Sequence, residues 1–254
     1  LIDYNQAQMQ IRRKAGYRLI AELLIDVSAC RRGIHPDQLN AAIENLHHDV
    51  RQREQQCVEA LLKLYAFRQD DAKANALPLA EGRWGDDLFN PATMKQLGIK
   101  VGGGMAAGAA TGFGIDLFTG GLSLGMATAI GAAVGGLTQT VRNYGERLKG
   151  KWRGERELSV NDSTLRLLAI RQQRLLNALE SRGHAAQERI QMHTPLEQHW
   201  REGELAQPLK TARAYPAWSS LNGAKPSLDH KRIHAVEQLA DSLAEQNSNM
   251  QEPA

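Results

Sequence analysis

His230 and His234 stand four residues apart with Asp229 adjacent, on a stretch whose apolar residues recur at helical spacing. Imidazoles at that spacing share one helix face, which is metal-ligand geometry. The sequence indicates no third ligand, so a surface helix carrying two histidines is the better reading. His47 and His48 are neighbours and point to different faces. His184, His193 and His199 fall in or near turns. A phosphate-binding loop needs Gly-x-x-x-x-Gly-Lys-Ser/Thr, so that a lysine reaches the β and γ phosphates. Here Gly150-Lys151 is followed by Trp152. Gly102-x-Gly104 follows no strand pattern, so a dinucleotide fold is unsupported. No Gly-x-Ser-x-Gly nucleophile motif occurs. Cys30 and Cys57 fit no metal or redox spacing and read as helix residues of a reducing compartment. The expectation is a chain that is not an enzyme, with no catalytic, cofactor-binding or metal site.

The chemistry that stands out is that of packing. Val101 to Val141 carries a single charge, Asp116, and twelve of the chain's twenty-three glycines. Glycine costs about 1 kcal/mol against alanine in an exposed helix, so a helical reading requires that packing reward it. Gly104, Gly108 and Gly112 are spaced by four, as are Gly121 and Gly125, and Gly131 and Gly135. That spacing lets two backbones approach closely, as in membrane helix pairs. Phe118-Thr119-Gly120-Gly121 is a plausible turn between two helical arms. Lys95 and Lys100 precede the first arm; Arg142, Arg147, Lys149 and Lys151 follow the second. A hairpin places both basic sets on one side, as the positive-inside rule expects, where they would meet anionic head groups. Hydrophobicity is the weak point: from Val101 to Ile115 only three residues are Val, Leu, Ile or Phe. Leu117 to Val141 has eight, so the second arm inserts better.

The flanks must position that block, and they read as helices. Ile11, Ala15, Leu19, Leu23 and Val27 recur in steps of four, and Arg31-Arg32-Gly33 ends the run. A second helix is expected from about Asp37 to Gln69. Leu39, Ile43, Leu46, Val50, Cys57, Leu61 and Leu64 form its seam, interrupted by Arg53. Two helices joined by a short turn should pack antiparallel. Pro78, Gly82, Gly85 and Pro91 mark a linker anchored by Trp84, Leu88 and Phe89. Ser159-Val160-Asn161-Asp162 offers N-cap residues for a helix built on Leu165, Leu168, Leu175, Leu176 and Leu179. Short helices and turns surround Trp200 and Trp218, and a last helix holds Ile233, Val236, Leu239, Ala240 and Leu243. No segment alternates like a strand.

The expected fold is therefore all-α: a helical bundle with a central Gly/Ala-rich hydrophobic helical hairpin. Residues 1–70 would be an N-terminal antiparallel helical hairpin and 71–95 a linker. Residues 96–143 would be the hydrophobic hairpin, 144–245 a C-terminal helical region and 246–254 a disordered tail. The net charge of +3 is too small to argue for nucleic acid. Leu1 runs directly into a polar helical pattern, which favours a fragment starting inside a longer protein.

Several stretches together resemble one family. They are AELLIDVSACRR (21–32), DLFNPATMKQLGIKVGGG (87–104), GIDLFTGGLSLG (114–125), YGERLKGKWRGERELSVNDSTLRLLAIRQQRLLNALESRGHA (144–185) and WREGELAQPLKTARAYPAWSSL (200–221). The chain resembles the bacterial domain of unknown function that follows an Era/MnmE-like GTPase domain in proteobacterial proteins. The resemblance covers roughly Ala15 to Leu221. It implies an upstream G domain that binds GTP and Mg²⁺; that domain is absent here, so no nucleotide-binding residue carries over. The leading functional expectation is a non-catalytic, membrane-associating effector region of a bacterial GTPase. It would be cytoplasmic, peripheral or integral to the inner membrane, with lipid and its own GTPase domain as partners. The alternative is a soluble scaffold using the glycines as a homo-oligomer seam. A third is a toxin-like pore-forming helical domain.

Overall fold

The computed structural model describes residues 2–67, 77–99, 113–116, 156–181 and 195–248. Its longest helix, α1 (Ile2–Ser28), supplies the centre of the fold. Ile20, Ala21, Leu23, Leu24, Ile25 and Val27 are all fully buried, so its second half is enclosed on every side rather than along one stripe. Ile11, expected on the apolar face, is 60% exposed, because it precedes the part of the helix that its neighbours enclose.

The chain leaves α1 through Ala29 and Cys30 into a short strand, β1 (Arg31–Ile34), then a 3-10 turn at Pro36–Gln38 and α2 (Leu39–Leu64). Ile43, Leu46, Val50, Cys57 and Leu61 are the buried face of α2, as their spacing predicts. The helix stops where Ala66 adopts the left-handed region, at φ 57°, and the Phe67 N–H bonds back to the Leu62 carbonyl at 2.8 Å. That is the hydrogen-bond pattern by which helices close their last carbonyls.

Residues 77–99 lie against α2 and contain α3 (Pro91–Gln96), capped by the Asn90 side chain accepting from the Ala92 N–H. Leu88, Phe89, Met94 and Ile99 are buried. Arg51 fixes this segment from α2, 2.9 Å from Asp87 and 5.0 Å above the Phe89 ring.

Two further strands, β2 (Phe113–Asp116) and β3 (Arg156–Val160), complete an antiparallel sheet in the order β1-β3-β2. The expectation that no segment is a strand is corrected here: the fold is mostly helical with a small three-stranded sheet. Leu158 and Val160 point into the core from β3. Arg32 pairs with Leu158, and Ile115 with the same residue from the other side.

After β3, Asn161 accepts from the Thr164 N–H at 2.9 Å and opens α4 (Asp162–Ser181), as the cap residues predict. α4 crosses α1 so closely that a Cβ at Gly16 would lie 2.7 Å from a Leu176 methyl. Arg166 donates to the carbonyls of Trp200 and Gly203, tying down the end of α5 (Pro195–Glu202). α6 (Gln207–Ala212) and two 3-10 turns at Pro216–Trp218 and Ser220–Asn222 lead to α7 (His230–Ser248). Val236, Leu239 and Leu243 pack α7 along α1, and α2, α4 and α6 cover the other sides of α1. Residues expected in separate N-terminal and C-terminal helical units thus share one core.

Candidate functional site

The seam between α1 and the turn at 219–222 concentrates the buried polar chemistry. Asp26 interrupts the most apolar stretch of α1 and is 2% exposed. Its carboxylate accepts from Arg53 Nε at 2.7 Å, the Ser220 N–H at 2.7 Å, Ser220 Oγ at 2.8 Å and Ser219 Oγ at 3.3 Å. A buried charge is tolerated only when paired and hydrogen-bonded, and here both conditions hold. Arg53, which breaks the apolar seam of α2, is the partner. The sequence reading missed this pair. Its signal was one acidic and one basic residue, each at an apolar position of its own helix.

The same turn caps the sheet. The Asn222 side-chain oxygen accepts from the Arg31 N–H at 3.0 Å and lies 3.5 Å from the Cys30 sulfur. Arg32 donates to the Leu221 carbonyl and to Asp49, the latter at 2.6 Å. Arg31 lies 3.5 Å from Glu157 on β3. Burial pushes the thiols of Cys30 and Cys57 up to about 12, so neither is a ready nucleophile.

A second polar group ties α2 to α4. Glu54 meets Arg171 and Gln172, and Arg171 also donates to the Asp86 carbonyl at 2.7 Å. Burial raises the Glu54 carboxyl above its ordinary value, against the opposing charge of Arg171.

The base of the glycine-rich block is defined by the sheet. Asp116 stands opposite Glu157, and Phe113 opposite Val160. Residues 100–112 therefore enter one end of β2, and residues 117–155 leave from the other and return at Arg156. This corrects the end of the expected first arm: Phe113–Asp116 are extended and paired, so no single helical arm runs from Val101 through Asp116. Gly114 weakens a helix there, while Phe113 and Ile115 suit a strand that finds the edge of β3. Asp116 is a sheet position rather than the tip of a membrane hairpin.

Of the predicted site residues, Lys95 is exposed on α3. Gly104, Gly108, Gly112, Gly121, Gly125, Gly131, Gly135, Lys100, Arg142, Arg147, Lys149 and Lys151 lie outside the described residues, as does the turn expected at Phe118–Gly121. His230 and His234 are exposed on α7. Asp229, their neighbour, is already committed. It accepts from the Arg232 N–H at 2.8 Å, Trp218 Nε1 at 3.0 Å and Ser227 Oγ at 3.1 Å, which caps α7. Among the described residues no group of three or more His, Cys, Asp or Glu is placed to hold a metal. No helix among them is long and apolar enough to cross a membrane.

A family model described as Domain of unknown function (DUF3482) matches residues 1–241. The chain belongs to the DUF3482 family. No curated protein and no solved structure matches it. In this DUF3482 chain, stretches far apart in sequence meet in the fold. ELLIDVSACRR supplies Asp26, Arg31 and Arg32, and AYPAWSSLN supplies the donors and acceptors that hold them. GID lies on β2 and ELSV on β3, paired with each other.

Proposed function

We propose that this domain is a non-catalytic helical module of a bacterial GTPase, and that it brings residues 117–155 to an anionic membrane surface. The observation that carries the reading is the pairing of Asp116 with Glu157, which joins both ends of the segment at one end of the sheet. The segment's own chemistry then divides in two. Leu117–Val141 is uncharged and rich in Gly and Ala; Arg142, Arg147, Lys149 and Lys151 follow. Each such cation near an anionic bilayer contributes about 1 kcal/mol. Lys95 and Lys100 add two further cations, before β2 in sequence.

Chain length favours a peripheral mode over a spanning one. Ile99 is in the core and Phe113 is in the sheet. The intervening residues give about 45 Å of fully extended chain, too little to cross a hydrocarbon core of about 30 Å and return. Residues 117–155 would need two arms of about nineteen residues. The second would carry Arg142, Glu146, Arg147, Lys149, Lys151, Arg153 and Glu155 into the bilayer, at roughly 2.5–3.5 kcal/mol for each at its centre. The same argument weighs against the pore-forming reading.

The link to a GTPase rests on the resemblance of the quoted stretches; GTP and Mg²⁺ would be bound by the preceding G domain, not here. Flotation of the chain with vesicles of anionic and of neutral lipid tests the reading. Binding that requires anionic lipid and weakens in salt is expected. A chain that stays with the aqueous phase as a defined oligomer would support the scaffold reading instead.

A further inference from the structure

Among the described residues three large apolar side chains are exposed: Met9 at 41%, Ile11 at 60% and Leu228 at 69%. Two of the three stand within one turn of α1, in the half of that helix that precedes the enclosed part. A single exposed apolar residue is ordinary; these two are set among cations. Between Asp3 and Glu22 the sequence has Arg12, Arg13, Lys14 and Arg18 and no acidic residue. Arg13 turns inward, 3.7 Å from Glu180 and 5.9 Å from the centre of the Tyr17 ring. Arg12, Lys14 and Arg18 are exposed, and none has an ion-pair partner among the described residues.

The spacing orders these side chains. Ala7, Ile11, Lys14 and Arg18 follow one another at steps of four, three and four, so they share one face of the helix. All four are exposed. Met9 sits on the far side of the same turn and takes no part. The stripe ends at the next step, Glu22, which Arg232 of α7 meets at 2.7 Å. The opposite face carries Gly16, Tyr17, Ile20 and Leu24, all buried, so the core holds the helix that displays the stripe.

We propose that this stripe of α1 is a second contact with an anionic lipid surface. Lys14 and Arg18, with Arg12 on the flank, meet head groups, and Ile11 enters the boundary beneath them. The inference rests on the membrane reading above and extends it to another part of the fold. Two features choose the occupant. A basic face with an apolar side chain open to water suits the boundary between head groups and acyl chains, where both are used. A phosphodiester chain would use the cations alone, and a second copy would set like charges against one another. The contact orients the chain and does not replace residues 117–155, because three cations and one isoleucine give only marginal binding by themselves. β1 starts three residues after α1 ends, so the sheet lies at the other end of the helix from the stripe. Ile11 is about 26 Å along the axis from Ser28. Contacts at both ends lay α1 along the surface instead of end-on.

The test places an environment-sensitive fluorophore at Ile11→Cys in the whole chain, where Cys30 and Cys57 are buried and the new thiol is open to the reagent. The label is read with vesicles of phosphatidylcholine, with the same vesicles containing phosphatidylglycerol, and with a DNA oligonucleotide. Flotation of Lys14→Gln/Arg18→Gln is measured beside wild type. A blue shift is expected with phosphatidylglycerol only. The double variant should bind those vesicles about 25-fold more weakly, at about fivefold for each cation. If wild type floats while the label is unmoved and the double variant floats equally well, the α1 contact is overturned and the reading of residues 117–155 stands. If wild type floats with neither lipid, both are overturned. A shift given equally by the oligonucleotide would overturn the choice of lipid. The replaced side chains are exposed, so the variants should melt with wild type; a clear loss of stability would show that they serve the fold instead.

Discussion

Asp116 and Glu157 stand opposite each other on adjacent antiparallel strands, and residues 117–156 lie between them in sequence. A chain that leaves and re-enters a sheet at one paired position can be shortened there at the cost of Arg156, the first residue of β3, and its pairing with Ile34. Two-residue Asn-Gly turns match the twist of such a pair. Replacing residues 117–156 by Asn-Gly should therefore give a folded chain, with helical circular dichroism and cooperative melting retained. Loss of the cooperative transition would show that the core depends on the removed residues.

Asp26→Ala removes the acceptor for Arg53 and for the Ser220 N–H, leaving a partly buried cation and a backbone donor without their partner. Removing one member of a buried pair costs about 3–5 kcal/mol. Urea denaturation should show a loss of that size. Ser220→Ala, which leaves Arg53 in place, should cost about 1 kcal/mol. Equal effects from the two would contradict the central place given to Asp26.

Asp229→Ala removes the cap of α7, at about 1–2 kcal/mol near neutral pH. Burial works to raise the Asp229 carboxyl, but hydrogen bonds from the Arg232 N–H, Trp218 and Ser227 outweigh it and hold the group below its ordinary value. A carboxyl depressed in the folded state stabilises above its unfolded value and loses that contribution as pH falls through the folded one. The difference between variant and wild type should therefore be full at pH 7 and shrink below about pH 4. A difference independent of pH would point to lost packing instead.

Cys30 and Cys57 are both buried, and both thiols are pushed up to about 12. Native protein at pH 8 should resist a thiol-specific reagent, and both residues should react at once in denaturant. Fast modification of either in the native state would mean that the α1–α2 interface opens locally.

The helices were legible because Val50, Cys57 and Leu61, or Val236, Leu239 and Leu243, repeat at the period their burial requires. The strands were not. Arg31–Ile34 holds two arginines and a glycine, and its extended form depends on pairing with Glu157, Leu158 and Ser159 far along the chain. Phe113–Asp116 is too short to show alternation and sits in a glycine-rich run that reads as helix pairs. Arg53 looked like a fault in a seam because its partner, Asp26, lies on another helix. Local periodicity reports which face is apolar; it carries no information about which buried charges answer one another.

The most direct measurement is co-sedimentation of wild type and of the Asn-Gly replacement of 117–156 with anionic vesicles, at low and high salt. Wild type should pellet with the vesicles at low salt and be partly released by salt, while the replacement should stay in the supernatant and remain folded. Equal recovery of both proteins with the vesicles would contradict it, and so would a wild type that never pellets.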